Sequence, residues 1–186
     1  MIVLLVLLVL VLAVVGFVVA GFNLLRRSDI GAQEALGGID VQLTRRAELI
    51  PNLVETVKGY AAHEKGLLES ITAARAQVQQ AAQGDDVAAR AAADAQLQGA
   101  LVNLSAVAEN YPELKANTNF LELQKQLAET ENQLSFSRQY YNDAVRTLNN
   151  ATQTIPWMFL TGVAGVSKRD FYEAPASHDA PPTVSF

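Results

Sequence analysis

The sequence predicts an all-α protein in which an N-terminal transmembrane helix precedes a bundle of long helices and an extended C-terminal tail. Three observations support this fold class. Residues 2–22 contain no charged and no polar side chain. In three stretches, 43–78, 97–108 and 120–148, mainly apolar residues recur at steps of four and three, the spacing of helices that bury one face. Residues 175–186 contain three prolines and too little apolar surface to fold alone, which predicts an extended tail.

The apolar run is long enough to cross a membrane. At about 1.5 Å per residue, residues 2–22 reach about 31 Å, which matches a hydrocarbon core about 30 Å thick. A cleavable signal peptide would have basic residues before a shorter apolar core, so we expect a retained anchor, with a cleaved signal as the alternative. Arg26 and Arg27 follow the run, and the positive-inside rule therefore predicts a short outer N-terminus and a cytoplasmic bundle. Periplasmic or extracellular placement remains the alternative.

Composition excludes several classes of function. About 160 residues remain after the apolar run, enough for one domain with its own core. The net charge of −5 and the thin spread of basic residues exclude a nucleic-acid footprint. The chain has no cysteine, which excludes disulfides, thiolate metal sites and cysteine nucleophiles.

The first part of the bundle is predicted to be a long helix with a possible interruption at Pro51. Residues 39–155 form the predicted bundle, and Gly37 and Gly38 weaken the helix before it, so residues 23–38 are expected to form a separate neck. Apolar residues recur in a heptad-like, coiled-coil-like stripe through residues 43–78. Proline lacks an amide hydrogen, so Pro51 either kinks or breaks the helix, and the sequence leaves both possibilities open.

The stripe and the proline have consequences for packing and topology. Glu64 and Arg75 interrupt the stripe, which favours a bundle over a two-stranded coiled coil. A break at Pro51 would give an up-down-up-down order that returns Trp157 to the bilayer. A kink would place Trp157 at the opposite end.

The later helices are bounded by turn and cap signals. The turn at 84–86 precedes a second long helix, from about Asp86 to about Asn110, which is expected to bury Leu97, Leu101, Leu104 and Ala108. Pro112 interrupts the chain after it. Asn119 and Glu122 resemble a capping box that opens the last long helix, which should end before Pro156.

Residues 156–174 are predicted to form an aromatic closing segment. Trp157 and Phe159 precede Lys168 and Arg169, an order that suits a membrane interface. The alternative interpretation is that these aromatic residues close the open end of the bundle.

Three stretches resemble the LemA family of bacterial membrane-anchored helical proteins. They are IDVQLTRRAELIPNLVETVKGYAAHE at 39–64, ENYPELKANTNFLELQKQLAETENQL at 109–134 and RQYYNDAV at 138–145. The resemblance implies a single-pass protein of the bacterial inner membrane with an antiparallel four-helix bundle, and it does not imply an enzyme. It also implies membrane proteases as possible partners. Ala47 and Glu48 stand where the family often has His-Asp, which removes a histidine.

The residues present indicate no catalytic or metal centre. His63-Glu64 lacks the second histidine of a zinc protease helix because position 67 is Leu67. Tyr60 stands three residues before His63, so the Glu-x-x-His pair of a di-iron bundle is also missing. We therefore expect no enzyme activity, no catalytic residue, no metal and no cofactor.

Polar residues among apolar ones are the remaining candidates. They are expected to pair across helices and fix register, or alternatively to line a partner groove or subunit interface. The six interaction candidates are Arg45, Arg46, Asn52, Lys58, Trp157 and Phe159. The functional hypothesis is a non-enzymatic membrane scaffold that contacts the lipid bilayer and assembles with itself or binds partners. The alternative is an accessory or sensor module that regulates a membrane protease or another membrane partner.

Overall fold

The computed structural model describes residues 1–61 and 63–173, and in these residues all regular structure is helical. The long helices are α1 (Ile2–Lys58), α2 (Lys65–Ala81), α3 (Val87–Ala108) and α5 (Thr118–Gln153). Short elements complete the order: α4 (Pro112–Lys115), a 3-10 turn (Trp157–Leu160) and α6 (Thr161–Ala164). The predicted tail, residues 175–186, lies outside the described residues.

Helix α1 continues without interruption through Gly37, Gly38 and Pro51. Proline at 51 cannot donate the hydrogen bond that the carbonyl of Ala47, four residues earlier, would accept in a helix. Arg75 of α2 supplies the missing donor, because its Nε lies 2.9 Å from that carbonyl oxygen. Arg75, which interrupts the apolar stripe in the sequence, therefore satisfies the backbone group that Pro51 leaves open.

The chain breaks after Lys58, not at Pro51. Gly59 and Tyr60 form a turn, and the amides of Tyr60 and Ala61 both donate to the carbonyl of Val57. The stripe at 43–78 is therefore divided between α1 and α2, and the interruption left open at Pro51 lies instead after Lys58. The buried positions of the stripe nevertheless continue across the break, since the side chains of Val57, Ala61 and Leu68 are all buried.

Caps fix the ends of the next helices. Asp86 caps α3, because its carboxylate accepts hydrogen bonds from the amides of Ala88 and Ala89 at 2.9 and 3.1 Å. The predicted second helix and its turn are confirmed, although Leu101 is only partly buried. The predicted capping box at Asn119 is wrong: Asn117 caps α5, accepting from the amide of Phe120 at 3.0 Å. Helix α5 ends before Pro156 as predicted.

The chain divides into two compact units. Among the described residues, unit 1 comprises Met1–Gly37 and Gln139–Phe171, and unit 2 comprises Gly38–Arg138 together with Tyr172 and Glu173. Buried apolar residues of unit 1 are Leu25, Ala32, Ala35, Leu36, Val145, Leu148, Ala164 and Val166. The largest buried apolar residues of unit 2 are Ile39, Leu43, Ile50, Leu53, Ile71, Leu97, Leu114, Phe120 and Leu134.

The apolar run is the least buried part of α1. Among the described residues, α1 is the one helix long and apolar enough to cross a membrane by length and composition, and none of its most apolar window is buried. The candidate N-terminal membrane helix of the sequence is therefore present as a helix with its apolar side chains exposed.

Candidate functional site

A cluster of charged side chains lies in unit 2, with Arg46 and Asp94 buried and Glu131 and Arg138 partly exposed. Arg46 of α1 lies 3.0 Å from both Asp94 of α3 and Glu131 of α5. Arg138 of α5 pairs with the same two carboxylates: it contacts Asp94, and it lies 3.2 Å from Glu131. The hydroxyl of Tyr172 donates to Asp94 at 3.0 Å. We call these five residues the charge cluster; it joins three helices and the segment after α6.

The charges of the charge cluster balance. Two guanidinium groups face two carboxylates, and buried charges are tolerated when they are paired in this way. Burial lowers the pKa of Arg138, but the carboxylates of Asp94 and Glu131 outweigh burial, and the net pKa is raised. Burial and the Asp94 carboxylate raise the pKa of the Tyr172 phenol, so this phenol stays a hydrogen-bond donor at neutral pH. The guanidinium of Arg138 also lies 5.7 Å from the centre of the Tyr172 ring.

A second ion pair, between buried Arg90 and partly exposed Asp40, lies beside the turn between α2 and α3. Arg90 lies 3.0 Å from Asp40 and donates to the carbonyl of Gly84 at 2.7 Å. Burial raises the pKa of Asp40, and the positive charge of Arg90 opposes this rise. Arg90 and Asp94 are the two charged residues of α3, and both are buried. The outer face of this helix consequently carries no charge.

A cleft of about 310 Å³ opens beside the charge cluster in unit 2. Its apolar wall includes the buried residues Leu53, Leu104 and Phe120. Arg46, Gln98 and Glu131 also line it. Arg46 Nε and Gln98 Oε1 are buried and make no hydrogen bond within the described residues, whereas Glu131 Oε2 is paired with Arg46 at 3.0 Å. An apolar pocket with a few polar groups is typical of sites that bind a small molecule or a partner's side chain. Within residues 1–61 and 63–173, no three His, Cys, Asp or Glu side chains are grouped so that they could hold a metal ion.

Comparison with known proteins identifies the chain's relatives. The model of the LemA family matches residues 35–186. The chain belongs to the LemA family. The resemblance seen in the three sequence stretches is thereby confirmed.

This LemA-family chain is also similar to three magnetosome proteins. Magnetosome proteins MamQ 1 and MamQ 2 of Paramagnetospirillum magneticum are each 23% identical to it, over 92% of this chain and 72% of theirs. Magnetosome protein MamQ of Magnetospirillum gryphiswaldense is 22% identical, over 81% of this chain and 64% of its own length.

The structure does not bring the predicted interaction residues of this LemA-family chain together in one site. Arg46 is buried in the charge cluster, whereas Arg45, Asn52 and Lys58 are exposed. Lys58 lines an open groove between α1 and α2. Asn52 lines a different groove, together with residues of α5. A role for these four residues in partner binding stays a prediction.

The two aromatic candidates lie in unit 1. The ring of Trp157 stacks on that of Phe17 with centroids 5.2 Å apart. Phe159 is 72% exposed. The chain that follows is fixed to α1 and α5: Arg169 Nε donates to Asp29 at 2.8 Å, and its backbone exchanges two hydrogen bonds with the Asn149 side chain.

The six interaction candidates taken from the sequence lack four of the five members of the charge cluster, namely Asp94, Glu131, Arg138 and Tyr172. Asp94 occupies a helix in which Arg90 is the other charged residue, and this scarcity of charge on an alanine-rich helix was the available signal. Tyr172 offers no such signal, because its position beside Asp94 depends on how the segment after α6 folds back. Only Arg46 was selected, as one of a tandem pair of arginines.

Proposed function

We propose that this LemA-family protein is a non-enzymatic, single-pass membrane scaffold that assembles with itself. The observation that carries the proposal is the form of α1, whose apolar run leaves its side chains exposed while the same helix continues without a break into unit 2. Exposed apolar side chains over a span of about 30 Å suit a bilayer and not water. The helix would therefore couple the membrane directly to the folded part of the chain.

The domain organisation proposed for the scaffold follows the sequence. Residues 1–22 cross the membrane, 23–38 form a neck, and 39–155 form an antiparallel four-helix bundle from α1, α2, α3 and α5. Residues 156–174 and 175–186 form the aromatic segment and the tail. Arg26 and Arg27 favour a cytoplasmic bundle at the bacterial inner membrane, with the other end of the apolar run outside.

The charge cluster supports a structural role for the polar interior. Each of its charged groups is engaged by an opposite charge from another helix. Such pairing fixes which faces of the helices meet, because a register shift would leave a buried charge without a partner. The similar MamQ proteins are named for the magnetosome and not for a reaction, which agrees with a structural role.

The uncharged face of α3 supports self-assembly. Ala88, Ala92, Gly99, Val102 and Ala106 are exposed along this helix. A water-facing helix normally carries charges opposite its buried face, whereas here both charges point inward. Small side chains allow two helices to approach closely, and a second copy of the chain would present the same uncharged face in a symmetric contact.

Light scattering tests self-assembly. The full-length protein in mild detergent is expected to have a discrete mass that is a multiple of 20.0 kDa. Val102→Glu should lower that mass, since it places a charge on the uncharged face. The matched control is Val41→Glu, on an exposed position of α1 outside the apolar run. A monomer at every concentration, or equal effects of both substitutions, would contradict self-assembly through α3.

The cleft favours a second candidate function. A module that senses or regulates a membrane protease or another membrane partner would need a place to receive it. The cleft combines an apolar wall with two buried polar atoms, Arg46 Nε and Gln98 Oε1, that make no hydrogen bond within the described residues. A photo-crosslinking amino acid at Ser105, on the cleft rim, tests this candidate in cells. Capture of one defined membrane protein from Ser105, but not from Ser70 of α2, supports the accessory role; capture of the chain itself supports the scaffold.

A further inference from the structure

The segment after α5 folds against the apolar run of α1. Trp157 stacks on Phe17, with ring planes 21° apart. At Gly21, an added Cβ would lie 2.5 Å from a Leu160 methyl and 2.6 Å from the Trp157 ring. Glycine is therefore needed at 21 for this close approach. A Cβ added at Gly16, five residues earlier on α1, would have no atom within 4 Å.

The face of this segment away from α1 is apolar and uncovered. Ile155, Phe159 and Val163 are each more than 70% exposed. No charged residue occurs between Arg146 and Lys168. A segment that only closed a bundle would bury its large apolar side chains, since exposing them together to water is unfavourable.

We propose that residues 155–164 form a second membrane contact, lying in the interfacial layer of the bilayer beside α1. The inference rests on the proposed crossing of the membrane by α1. Phe17 lies five residues before the end of the apolar run, which corresponds to a depth of about 7.5 Å along a helix. This depth falls within the 5–10 Å or so that membrane-surface elements reach.

The charges around the segment agree with a bilayer as its occupant. Arg27 follows the apolar run of α1 and Lys168 follows α6, and both are exposed. Arg26 is partly exposed and lies 3.7 Å from Asp29. Cations at this level would lie among lipid headgroups and favour anionic lipids. A protein surface covering the same residues would have to be apolar and also sit at the membrane boundary, whereas the bilayer is present there once α1 inserts.

The test uses the fluorescence of Trp157, which is the chain's single tryptophan. The full-length protein is reconstituted into vesicles of equal parts phosphatidylethanolamine and phosphatidylglycerol. Some vesicles carry lipids brominated near the glycerol end of the acyl chain, and others carry lipids brominated at its middle. We expect Trp157 to lose most of its emission in the first kind and less in the second.

Two variants locate the lipid-facing side. In Trp157→Phe/Phe159→Trp the tryptophan occupies the exposed position, and quenching by the shallow bromines is expected to be stronger than for Trp157. In Trp157→Phe/Phe136→Trp the tryptophan lies on an exposed position of α5. That position is about 25 Å along the helix from its end at Gln153, and no bromine quenching is expected there. Equal quenching at 159 and 136, or none at 157 and 159, would overturn the second contact.

Extraction with alkaline carbonate separates this inference from the proposed function. Retention of the protein in the membrane pellet together with unquenched Trp157 would leave the α1 anchor in place and overturn the second contact. Release of the wild-type protein by carbonate would overturn the anchor itself, and the second contact with it.

Discussion

We expect that replacing Arg75 will lower the free energy of unfolding, because the proline inside α1 depends on the Arg75 side chain. Arg75 Nε donates to the Ala47 carbonyl, which is the group that Pro51 leaves without a helical donor. Ala47 is fully buried, so water cannot replace the lost donor. Hydrogen bonds that involve a charged group contribute about 1.5–3 kcal/mol. Arg75→Leu should therefore lower the free energy of unfolding by about 2 kcal/mol.

The decisive measurement is a double-mutant cycle with Pro51→Ala. Alanine at 51 restores an amide that can donate to the Ala47 carbonyl, so Arg75→Leu should cost much less in that background. Residues that share a partner show coupling energies of about 0.5–3 kcal/mol, and we expect a value in this range.

Thermal unfolding followed by circular dichroism in detergent reads out this cycle. For a chain of this length, each kcal/mol shifts the midpoint by roughly 2–4 °C, so Arg75→Leu should lower it by about 4–8 °C in the wild-type background. Arg45→Leu, at an exposed position of α1, is the control, with an expected change within about 0.5 kcal/mol. Equal costs of Arg75→Leu with proline and with alanine at 51 would refute the assignment of Arg75 as the replacement donor.

Three further predictions concern the charge cluster and the apolar run. In urea titrations, Asp94→Leu should lower the free energy of unfolding by about 3–5 kcal/mol, since it leaves the guanidinium groups of the charge cluster short of a partner. In the same measurement, Asp143→Leu, which breaks an exposed ion pair, should lower it by under about 1 kcal/mol. The raised pKa of Tyr172 means that its phenol ionises more readily in the unfolded chain, so stability should fall as the pH rises past about 10. Tyr172→Phe should make this fall shallower in unfolding curves measured below and above that pH, and an unchanged slope would count against it. Gly21→Val should displace the indole stacked on α1 and red-shift its emission in vesicles, whereas Gly16→Val should not; identical spectra would show that the close approach at Gly21 is absent.

The sequence by itself determined the candidate membrane helix, the all-helical class and the family. These depend on local properties: an uninterrupted apolar run, a periodicity of alternating fours and threes, and short motifs in a fixed order. The bounds of α3 and the end of α5 before Pro156 also followed from the sequence, because caps and prolines act within a few residues of their own position. Predictions of this kind need no knowledge of what lies across the core.

Tertiary structure decided the features that depend on a distant partner. Pro51 stays inside a helix because Arg75, from another helix, donates a hydrogen bond to the Ala47 carbonyl, to which proline cannot donate. Asp94 becomes the centre of a charge cluster because residues from α1, α5 and the segment after α6 converge on it. Local sequence signals cannot predict a contact between residues tens of positions apart, because that contact depends on which faces of the helices pack together.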